Sequence, residues 1–265
     1  MKEIDRGYEA HEDLLVSGTF KFSIKKGESV IFQAAIEEGS PITFQRSFNN
    51  ESKKRIPRDG FENNLANAAQ QFIIKKGRST ELAAGLPWYG SWGRDTFISL
   101  AGICLVQNDI DLYKSILDTM VKDMEGDLFP NKKEGGKKNF LSSDTSLWFF
   151  RSLQQYIEFT DDEAWVWRKY GKLMKQILNR YRNGIEELGL YVDAQGLVYA
   201  EKENTPLTWM DAVLYGKPVT QRPGYAVEVN ALWYNAVAFV MNLATKNKDV
   251  QFVIGWNPVQ RTIDS

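Results

Sequence analysis

Residues 87–106 read PWYGSWGRDTFISLAGICLV, an aromatic loop that runs directly into an apolar helix. The loop part contains two tryptophans, a tyrosine, two glycines and the adjacent pair Arg94–Asp95. After this pair, apolar residues recur at the spacing of one helix face. A loop that serves only packing seldom needs two indole rings and an ion pair at its tip. The stretch therefore predicts a functional loop at the start of a helix, within a mainly α-helical fold.

The same helical spacing recurs along the chain after residue 60. Six segments place apolar residues at i, i+3, i+4 and i+7, namely 61–74, 94–107, 110–124, 142–159, 162–188 and 226–246. Asp144 and Asp161 are placed as N-caps of two of these helices. The connections alternate between short ones, as at 107–110, and longer ones rich in Gly, Pro and aromatic residues, as at 78–93 and 188–225. Antiparallel helix pairs with functional loops at one end predict a helical toroid.

Residues 14–48 follow a different period. Apolar and polar residues alternate on both sides of the segment KKGES, whose glycine is typical of a hairpin turn. We expect two or three antiparallel strands here, with PITFQRSF at 41–48 as the last candidate. Three strands make a poor domain alone, so we expect them to pack on the rest of the chain or to end a larger sheet.

Composition argues against several classes of function. The 265-residue chain is 43% hydrophobic and 25% charged, as ordinary globular proteins are, and its net charge of −1 disfavours nucleic acid as a partner. Its single cysteine, Cys104, permits no intrachain disulfide. Its single histidine, His11, argues against Ser–His, Cys–His and multi-histidine metal chemistry. No segment is long and apolar enough to span a bilayer and the first residues lack an export signal, so no membrane partner is expected.

The residues that could carry chemistry concentrate in three loops, each with an aromatic ring beside a carboxylate or a guanidinium. The loops and the segment after the third contain Trp88, Trp92, Arg94 and Asp95, then Asp144 and Trp148, then Trp209 and Asp211, followed by Arg222, Glu228, Asn230 and Trp233. Such a set suits a neutral polyhydroxylated ligand, because sugar C–H groups stack on aromatic faces and two-pronged charged groups bind vicinal hydroxyls. A carboxyl beside Trp209 is partly desolvated and retains a proton more readily, as a general acid for glycosidic cleavage requires.

Each of these residues also has a structural interpretation. Trp148 and Trp233 fall at the spacing of a helix core, and Glu228 and Asn230 are placed to satisfy backbone groups near a helix start. Asp144 is placed to act as an N-cap, and Arg94–Asp95 could form a structural ion pair. The functional interpretation gains weight because all three loops repeat the same combination of aromatic and polar groups.

Three blocks of the chain resemble a known family. They are GLPWYGSWGRDTFISLAG, DTSLWFFRSLQQYIEFTDD and LTWMDAVLYGKPVTQRPGYAVEVNALWYNAV, and they span roughly residues 85–240. In this order they resemble the C-terminal domain of glycogen debranching enzymes, the amylo-α-1,6-glucosidase module. The resemblance implies an (α/α)6 barrel related to glucoamylases, preceded by a β-sandwich domain. It divides the chain into residues 1–50, the tail of the sandwich, and 51–265, the barrel domain, incomplete at its C-terminal end.

The same resemblance implies a reaction and a set of site residues. The reaction is hydrolysis of α-1,6-linked glucose from a branched α-glucan such as glycogen, with inversion and without a metal or organic cofactor. Asp211 matches the general acid. Trp88, Trp92, Arg94 and Asp95 match the loop that holds the terminal glucose. Pocket-lining or pocket-supporting positions are matched by Asp144, Trp148, Trp209, Glu228, Asn230 and Trp233.

The resemblance also indicates what the chain lacks. The barrel of the family has twelve helices, and its general base is a glutamate from a late loop, beyond the residues that can be aligned. Asp249 and Asp264 have no aromatic or polar setting that supports them as substitutes. We therefore expect a fragment or a truncated product that is a poor catalyst alone and associates with itself through the uncovered half of the barrel.

Two other interpretations stay open. One is a non-catalytic carbohydrate-binding protein that keeps the sugar site without the base. The other is a related toroid α-glucosidase that acts on another glycan. The glycogen connection and the missing export signal together predict a cytoplasmic location.

Overall fold

The computed structural model describes residues 11, 13–16, 18–34, 36, 39–77, 79–134 and 136–264. The chain separates into two compact units, of which one ends at Gln70 and the other covers Gln71–Ser265. All of the predicted site residues belong to the second unit.

The first unit contains the turn that the sequence predicts, but its described residues form no strand. Gly27 has a φ of 91°, and the amide of Glu28 donates to the carbonyl of Lys25 at 3.0 Å. The rings of Phe20 and Phe32 lie 5.3 Å apart. The predicted strands over 14–36 are therefore wrong for the described residues, and residues 17 and 35 lie outside them. The apolar side chains of this segment are mostly exposed, so their alternation has no core face against which to pack.

Residues 41–48 belong to a helix and not to the last candidate strand. Here α1 covers Pro41–Lys54, and α2 covers Phe61–Gln71, whose last residue is the first of the second unit. Ser40 caps α1, because its Oγ accepts a hydrogen bond from the amide of Thr43 at 3.3 Å, and Pro41 is the first helical residue. These start signals prevail over the alternating pattern. The interpretation of residues 1–50 as the tail of a sandwich domain stays a prediction.

The second unit is mainly helical, as the sequence predicts. Its helices are α3 (Gly93–Leu100), α4 (Ile110–Lys122), α5 (Thr145–Thr160), α6 (Glu163–Arg182), α7 (Val227–Lys246) and α8 (Val250–Asp264). A π-helical turn, Ala101–Leu105, extends α3. The first five helices here, together with α2, correspond to the six predicted segments. The last helix, α8, was not predicted, because Gly255 and Pro258 interrupt its pattern.

Two predicted N-caps have other positions or roles. Asp161 is the C-cap of α5, with a left-handed φ of 56°, and the next residue, Asp162, caps α6 by accepting from the amide of Trp165 at 3.0 Å. Asp144 stands at the N-cap position of α5, but its side chain makes no capping hydrogen bond. Ser142 makes the capping hydrogen bond instead, since its Oγ accepts from the amide of Thr145 at 3.2 Å.

Short antiparallel strands occupy the loops between these helices. One sheet has the order β1–β2–β3, with strands Ile73–Lys76, Ser79–Gly85 and Tyr89–Ser91. Leu82 lies opposite Ile73, and Ser91 lies opposite Ala83. Three two-stranded sheets follow: β4 (Lys132–Glu134) with β5 (Lys137–Asn139), β6 (Leu190–Val192) with β7 (Val198–Ala200), and β8 (Val213–Leu214) with β9 (Lys217–Pro218). A 3₁₀ turn, Glu186–Leu188, precedes β6.

A continuous apolar core joins the helices of the second unit. The rings of Phe97, Phe129 and Phe149 pack against one another with centroids 4.9–5.7 Å apart. Trp233 of α7 stacks on Tyr181 of α6 at 5.9 Å. Full burial of each such side chain contributes about 1.5–3 kcal/mol to folding. The core thus fixes the ends of α3, α5 and α7, from which the site loops extend. None of the helices in the described part of the chain is long and apolar enough to cross a lipid bilayer.

Candidate active site

A cavity of about 630 Å³ brings the three predicted loops together in the second unit. It is lined by Ala84, Tyr89, Trp92, Arg94, Asp95, Ile98, Asp144, Trp148, Trp209, Asp211, Glu228 and Leu232. Eight of these residues are among the predicted site residues. Its volume lies in the range of small-molecule sites, about 300–1,000 Å³.

Arg94 is the central side chain of the cavity wall. Its Nε and Nη2 donate to the two carboxylate oxygens of Asp144 at 2.8 and 2.9 Å, and its Nη1 donates to Oδ2 of Asp211 at 3.1 Å. Burial alone would lower the pKa of Arg94, but the hydrogen bonds and charge of Asp144, with those of Asp211, raise it. The guanidinium is therefore a fixed cation shared between two carboxylates.

The start of α3 packs unusually close to the chain segment that precedes α5, and this contact positions Arg94. A Cβ atom on Gly93 would lie 2.2 Å from the carbonyl oxygen of Pro130 and 2.8 Å from Cγ2 of Thr145. The amide of Gly93 also donates to the carbonyl of Asn131 at 2.9 Å. Only glycine fits this contact, so the start of α3 is held against the chain that leads into α5.

A buried polar network fixes Asp144, which is 1% exposed. Oγ of Ser142 donates to Oδ1 of Asp144 at 2.6 Å and lies 2.8 Å from Oγ1 of Thr145. Thr145 in turn donates to Oδ1 of Asn131 at 2.8 Å. Because each of these groups has a partner, the network orients Asp144, and through it Arg94.

Asp211 is the more accessible of the two partners of Arg94. Its side chain is 27% exposed, whereas the side chain of Asp144 is 2% exposed. A single guanidinium hydrogen bond holds Asp211, and two hold Asp144. Of the two carboxylates, Asp211 is therefore the one that can exchange Arg94 for a ligand group.

Two further carboxyls of the cavity are shifted in opposite directions. Burial raises the pKa of Asp95, against the charge of Arg94 and a backbone hydrogen bond that lower it. The paired hydrogen bonds from Arg222 lower the pKa of Glu228, with burial opposing them and a smaller lowering contribution from Trp209. The cavity thus contains one carboxyl whose pKa burial raises and one whose pKa an arginine lowers.

Aromatic rings form the apolar part of the wall. Trp209 is 54% exposed and Tyr89 is 52% exposed, so both present ring surface to solvent. The ring of Trp92 meets Tyr89 edge to face at 6.2 Å, and Nζ of Lys132 lies 5.3 Å from its centroid. The indole N–H of Trp92 is buried and has no acceptor among the described residues. Unpaired donors of this kind are rare, and a ligand hydroxyl is one group that would satisfy such a donor.

Three predicted site residues do not line the cavity. Trp88 is 83% exposed, and its neighbour Tyr89 takes the cavity position instead. Asn230 binds backbone groups, accepting from the amide of Val198 at 2.7 Å and donating to its carbonyl at 3.0 Å. Trp233 is fully buried, and its indole donates to the carbonyl of Gly196 at 3.0 Å. Asn230 and Trp233 therefore support the loops between α6 and α7.

The sequence interpretation also missed several residues of the site. Ala84, Ile98 and Leu232 line the cavity, and Ser142 orients Asp144. Tyr89 could have been found, because it lies within the aromatic loop itself. The small or apolar liners carry no chemical signal in the sequence. Within the described residues, no group of three or more His, Cys, Asp or Glu side chains is placed to hold a metal ion.

A helical unit whose loops bring tryptophans, an arginine and four carboxylates into one cavity has the features of a carbohydrate-active domain. The family model described as amylo-alpha-1,6-glucosidase matches residues 67–262, and the chain belongs to this family. The chain is also similar to the glycogen debranching enzyme of Saccharomyces cerevisiae, with 26% identity over 224 residues. That match covers 62% of this chain and 15% of the yeast protein, so the chain spans a small part of its relative.

Proposed function

We propose that this chain forms the glucose-binding part of a debranching-type active site and supplies Asp211 as the proton donor for α-1,6-glucosidic cleavage. The observation that carries the proposal is the convergence of the three loops on Arg94, which binds Asp144 and Asp211 inside an aromatic cavity. Family membership supports a glycoside hydrolase that acts on branched α-glucan. The relative named as a glycogen debranching enzyme supports the same substrate class.

The residues of the cavity have separate roles in binding and in catalysis. Trp92, Trp148 and Trp209 offer ring faces for the C–H surface of a glucose ring. Once its hydrogen bond with Arg94 is released, Asp211 takes up a proton from solvent and binds the glycosidic oxygen. It then donates this proton to that oxygen as the bond from the anomeric carbon breaks. Asp144 stays with Arg94 and keeps the cation in place during these steps.

Inversion needs a second carboxylate, about 6.5–9.5 Å from the first, to activate water. The carboxylates of the cavity other than Asp95 and Asp211 are already engaged, since Asp144 binds Arg94 and Glu228 binds Arg222. Asp249 does not line the cavity and pairs with Lys175 at 2.6 Å, a contact that lowers the pKa of Asp249. Asp264 is the last residue of α8, and its side chain is not described. We therefore expect slow turnover by this chain alone.

The test is glucose release from a maltooligosaccharide that carries one α-1,6-linked glucosyl unit. Wild type and Asp211→Asn are compared at equal concentration, with folding checked by circular dichroism. Slow release that Asp211→Asn abolishes supports the donor role. Release that persists unchanged in Asp211→Asn overturns it.

A second candidate function is carbohydrate binding without catalysis. It is favoured by the pairing of Asp144, Asp211 and Glu228 with arginines, which leaves these carboxylates already neutralised. In that case wild type and Asp211→Asn bind the branched saccharide alike, and neither releases glucose. Hydrolysis of a panel of α-linked disaccharides distinguishes both candidate functions from that of a toroid glucosidase that acts on another glycan. Self-association and a cytoplasmic location stay predictions.

A further inference from the structure

A second cavity, of about 360 Å³, adjoins the candidate active site. Its wall consists of residues 200–208, 210, 218 and 220–223. Arg222 lines this cavity and binds Glu228, which lines the first one. Met210 also lines it and lies between Trp209 and Asp211 in the chain. The two cavities are therefore separated by a shared wall of one ion pair and one loop.

The second cavity has the composition of a site for a neutral polar ligand. Among its lining residues, Lys202 and Arg222 balance Glu201 and Glu203, and amide and hydroxyl groups add neutral hydrogen-bonding partners. A mixed wall of this kind attracts neither a strongly acidic nor a strongly basic partner.

Three tyrosines form a cluster that is linked to the wall of the second cavity through Glu201. Tyr191 of β6 and Tyr199 of β7 are cross-strand partners, with rings stacked 4.9 Å apart at 22°. Tyr225 meets Tyr199 edge to face at 5.2 Å. The hydroxyl of Tyr199 donates to Glu201, which lines the second cavity. We call Tyr191, Tyr199 and Tyr225 the tyrosine cluster.

The tyrosine cluster exposes ring surface next to carboxylates. Tyr191 is 47% exposed and Tyr225 is 50% exposed. The hydroxyl of Tyr199 donates to Glu201, and the carboxylate of Asp193 raises the pKa of Tyr225 to about 12. Cross-strand stacking stabilises a hairpin and accounts for the pair Tyr191–Tyr199. It does not account for a half-exposed third ring or for the two carboxylates, which together repeat the combination found in the candidate active site.

We propose that the second cavity and the tyrosine cluster form an outer binding track for a linear α-1,4-glucan, the chain that carries the branch. This inference rests on the proposed function, because it places the branch itself in the candidate active site. Hydroxyl groups of successive sugars pair with the polar wall, and their C–H faces stack on the rings of Tyr191 and Tyr225. Because only one ion pair and one loop separate the two cavities, a single branched molecule can reach both sites.

The test compares two sugars by isothermal titration calorimetry on the full chain. Maltoheptaose is long enough to occupy the track, and isomaltose, with one α-1,6 bond, fits the candidate active site alone. The double variant Tyr191→Ala/Tyr225→Ala should lose about tenfold or more in affinity for maltoheptaose, since two stacked rings are removed. Its affinity for isomaltose should not change.

Two controls separate ring stacking from loss of structure. Tyr234→Ala removes a tyrosine of similar exposure, 46%, from α7 and should leave both affinities unchanged. Tyr191→Phe/Tyr225→Phe keeps the rings and should keep most of the maltoheptaose affinity. Unchanged maltoheptaose affinity in the alanine variant, or an equal loss for both sugars, would overturn the inference. Failure of folded wild type to bind maltoheptaose would also overturn it, while isomaltose binding tests the proposed function separately.

Discussion

Arg94 is the residue on which the candidate site depends most, because it links two loops that are 50 and 117 residues away in the chain. It is 7% exposed, and its main partner, Asp144, is 1% exposed. Neither charge has water to replace a lost partner. The ion pair therefore fixes the position of Arg94, and removing one partner would leave the other as an unpaired buried charge.

We expect Arg94→Leu to lower the free energy of unfolding by about 3–5 kcal/mol, because it leaves Asp144 charged and buried without its partner. Arg151→Leu is the matched control. Its exposed pair with Glu158 on α5 is worth less than about 1 kcal/mol. Urea unfolding followed by circular dichroism at pH 7 measures both. Equal losses in the two variants would contradict the central role of Arg94.

Asp95→Asn should raise the free energy of unfolding at pH 7. Burial raises the pKa of Asp95 above its ordinary value of 3.8, despite the charge of Arg94. A carboxyl with a raised folded pKa contributes its full stability below the unfolded pKa and loses it as the pH rises through the folded value. The higher free energy of unfolding of Asp95→Asn should therefore be present at pH 7 and absent below about pH 3.8.

Urea unfolding at pH 7 and pH 3 measures this difference. Asp111→Asn, which changes an exposed carboxylate in the first turn of α4, is the control and should show no such gain. A gain of the same size at both values of pH would show that charge is not its cause.

At the level of elements, the contact between the start of α3 and the chain that leads into α5 shapes the site. Gly93→Ala forces a Cβ atom against the carbonyl of Pro130, a contact that backbone must move to relieve. We expect a loss of about 1–3 kcal/mol in the free energy of unfolding and weaker sugar binding, since Arg94 shifts with the helix start.

Gly102→Ala is the matched control for this substitution. It lies in the π-helical turn that extends α3, and an added Cβ atom there meets nothing within 4 Å. Its effect should be neutral or stabilising by up to about 1 kcal/mol. If Gly93→Ala proved as harmless as Gly102→Ala, the close approach would not be essential to the site.

The helices that the sequence predicts are those with an uninterrupted apolar stripe, such as α5. The pattern failed where local signals competed with it. Pro258 and Gly255 obscure α8, and the cap Ser40 with Pro41 starts α1 inside an alternating stretch. A two-residue period shows which side chains alternate, but not whether any surface is present to bury one face. The described part of 14–34 has no such surface.

The candidate site, like the fold, could be predicted from the sequence only in part. The sequence places the three loops in one site because their chemistry repeats, and the cavity contains members of all three. Which side of a loop faces inward depends on tertiary packing, so the pattern could not choose between Trp88 and Tyr89. It also could not assign Asn230 to the backbone of Val198, 32 residues earlier.

For the whole molecule, exposed apolar side chains on the last two helices bear on how the chain behaves in solution. Val250 and Ile254 lie one turn apart on α8 and are 61% and 68% exposed, and Val227 at the start of α7 is 78% exposed. Apolar side chains grouped on one helix face are typical of surfaces that another protein surface covers.

We expect the chain to associate with itself through this face of α8. Sedimentation velocity over a range of protein concentrations should show a sedimentation coefficient that rises with concentration. Val250→Lys/Ile254→Lys places two charges on the face and should shift the chain to a monomer, because burying unpaired ammonium groups is costly. Val106→Lys changes a single exposed valine, 73% exposed, and should leave the association unchanged. A wild-type chain that stays monomeric at every concentration would mean that these side chains remain in contact with water in the isolated chain.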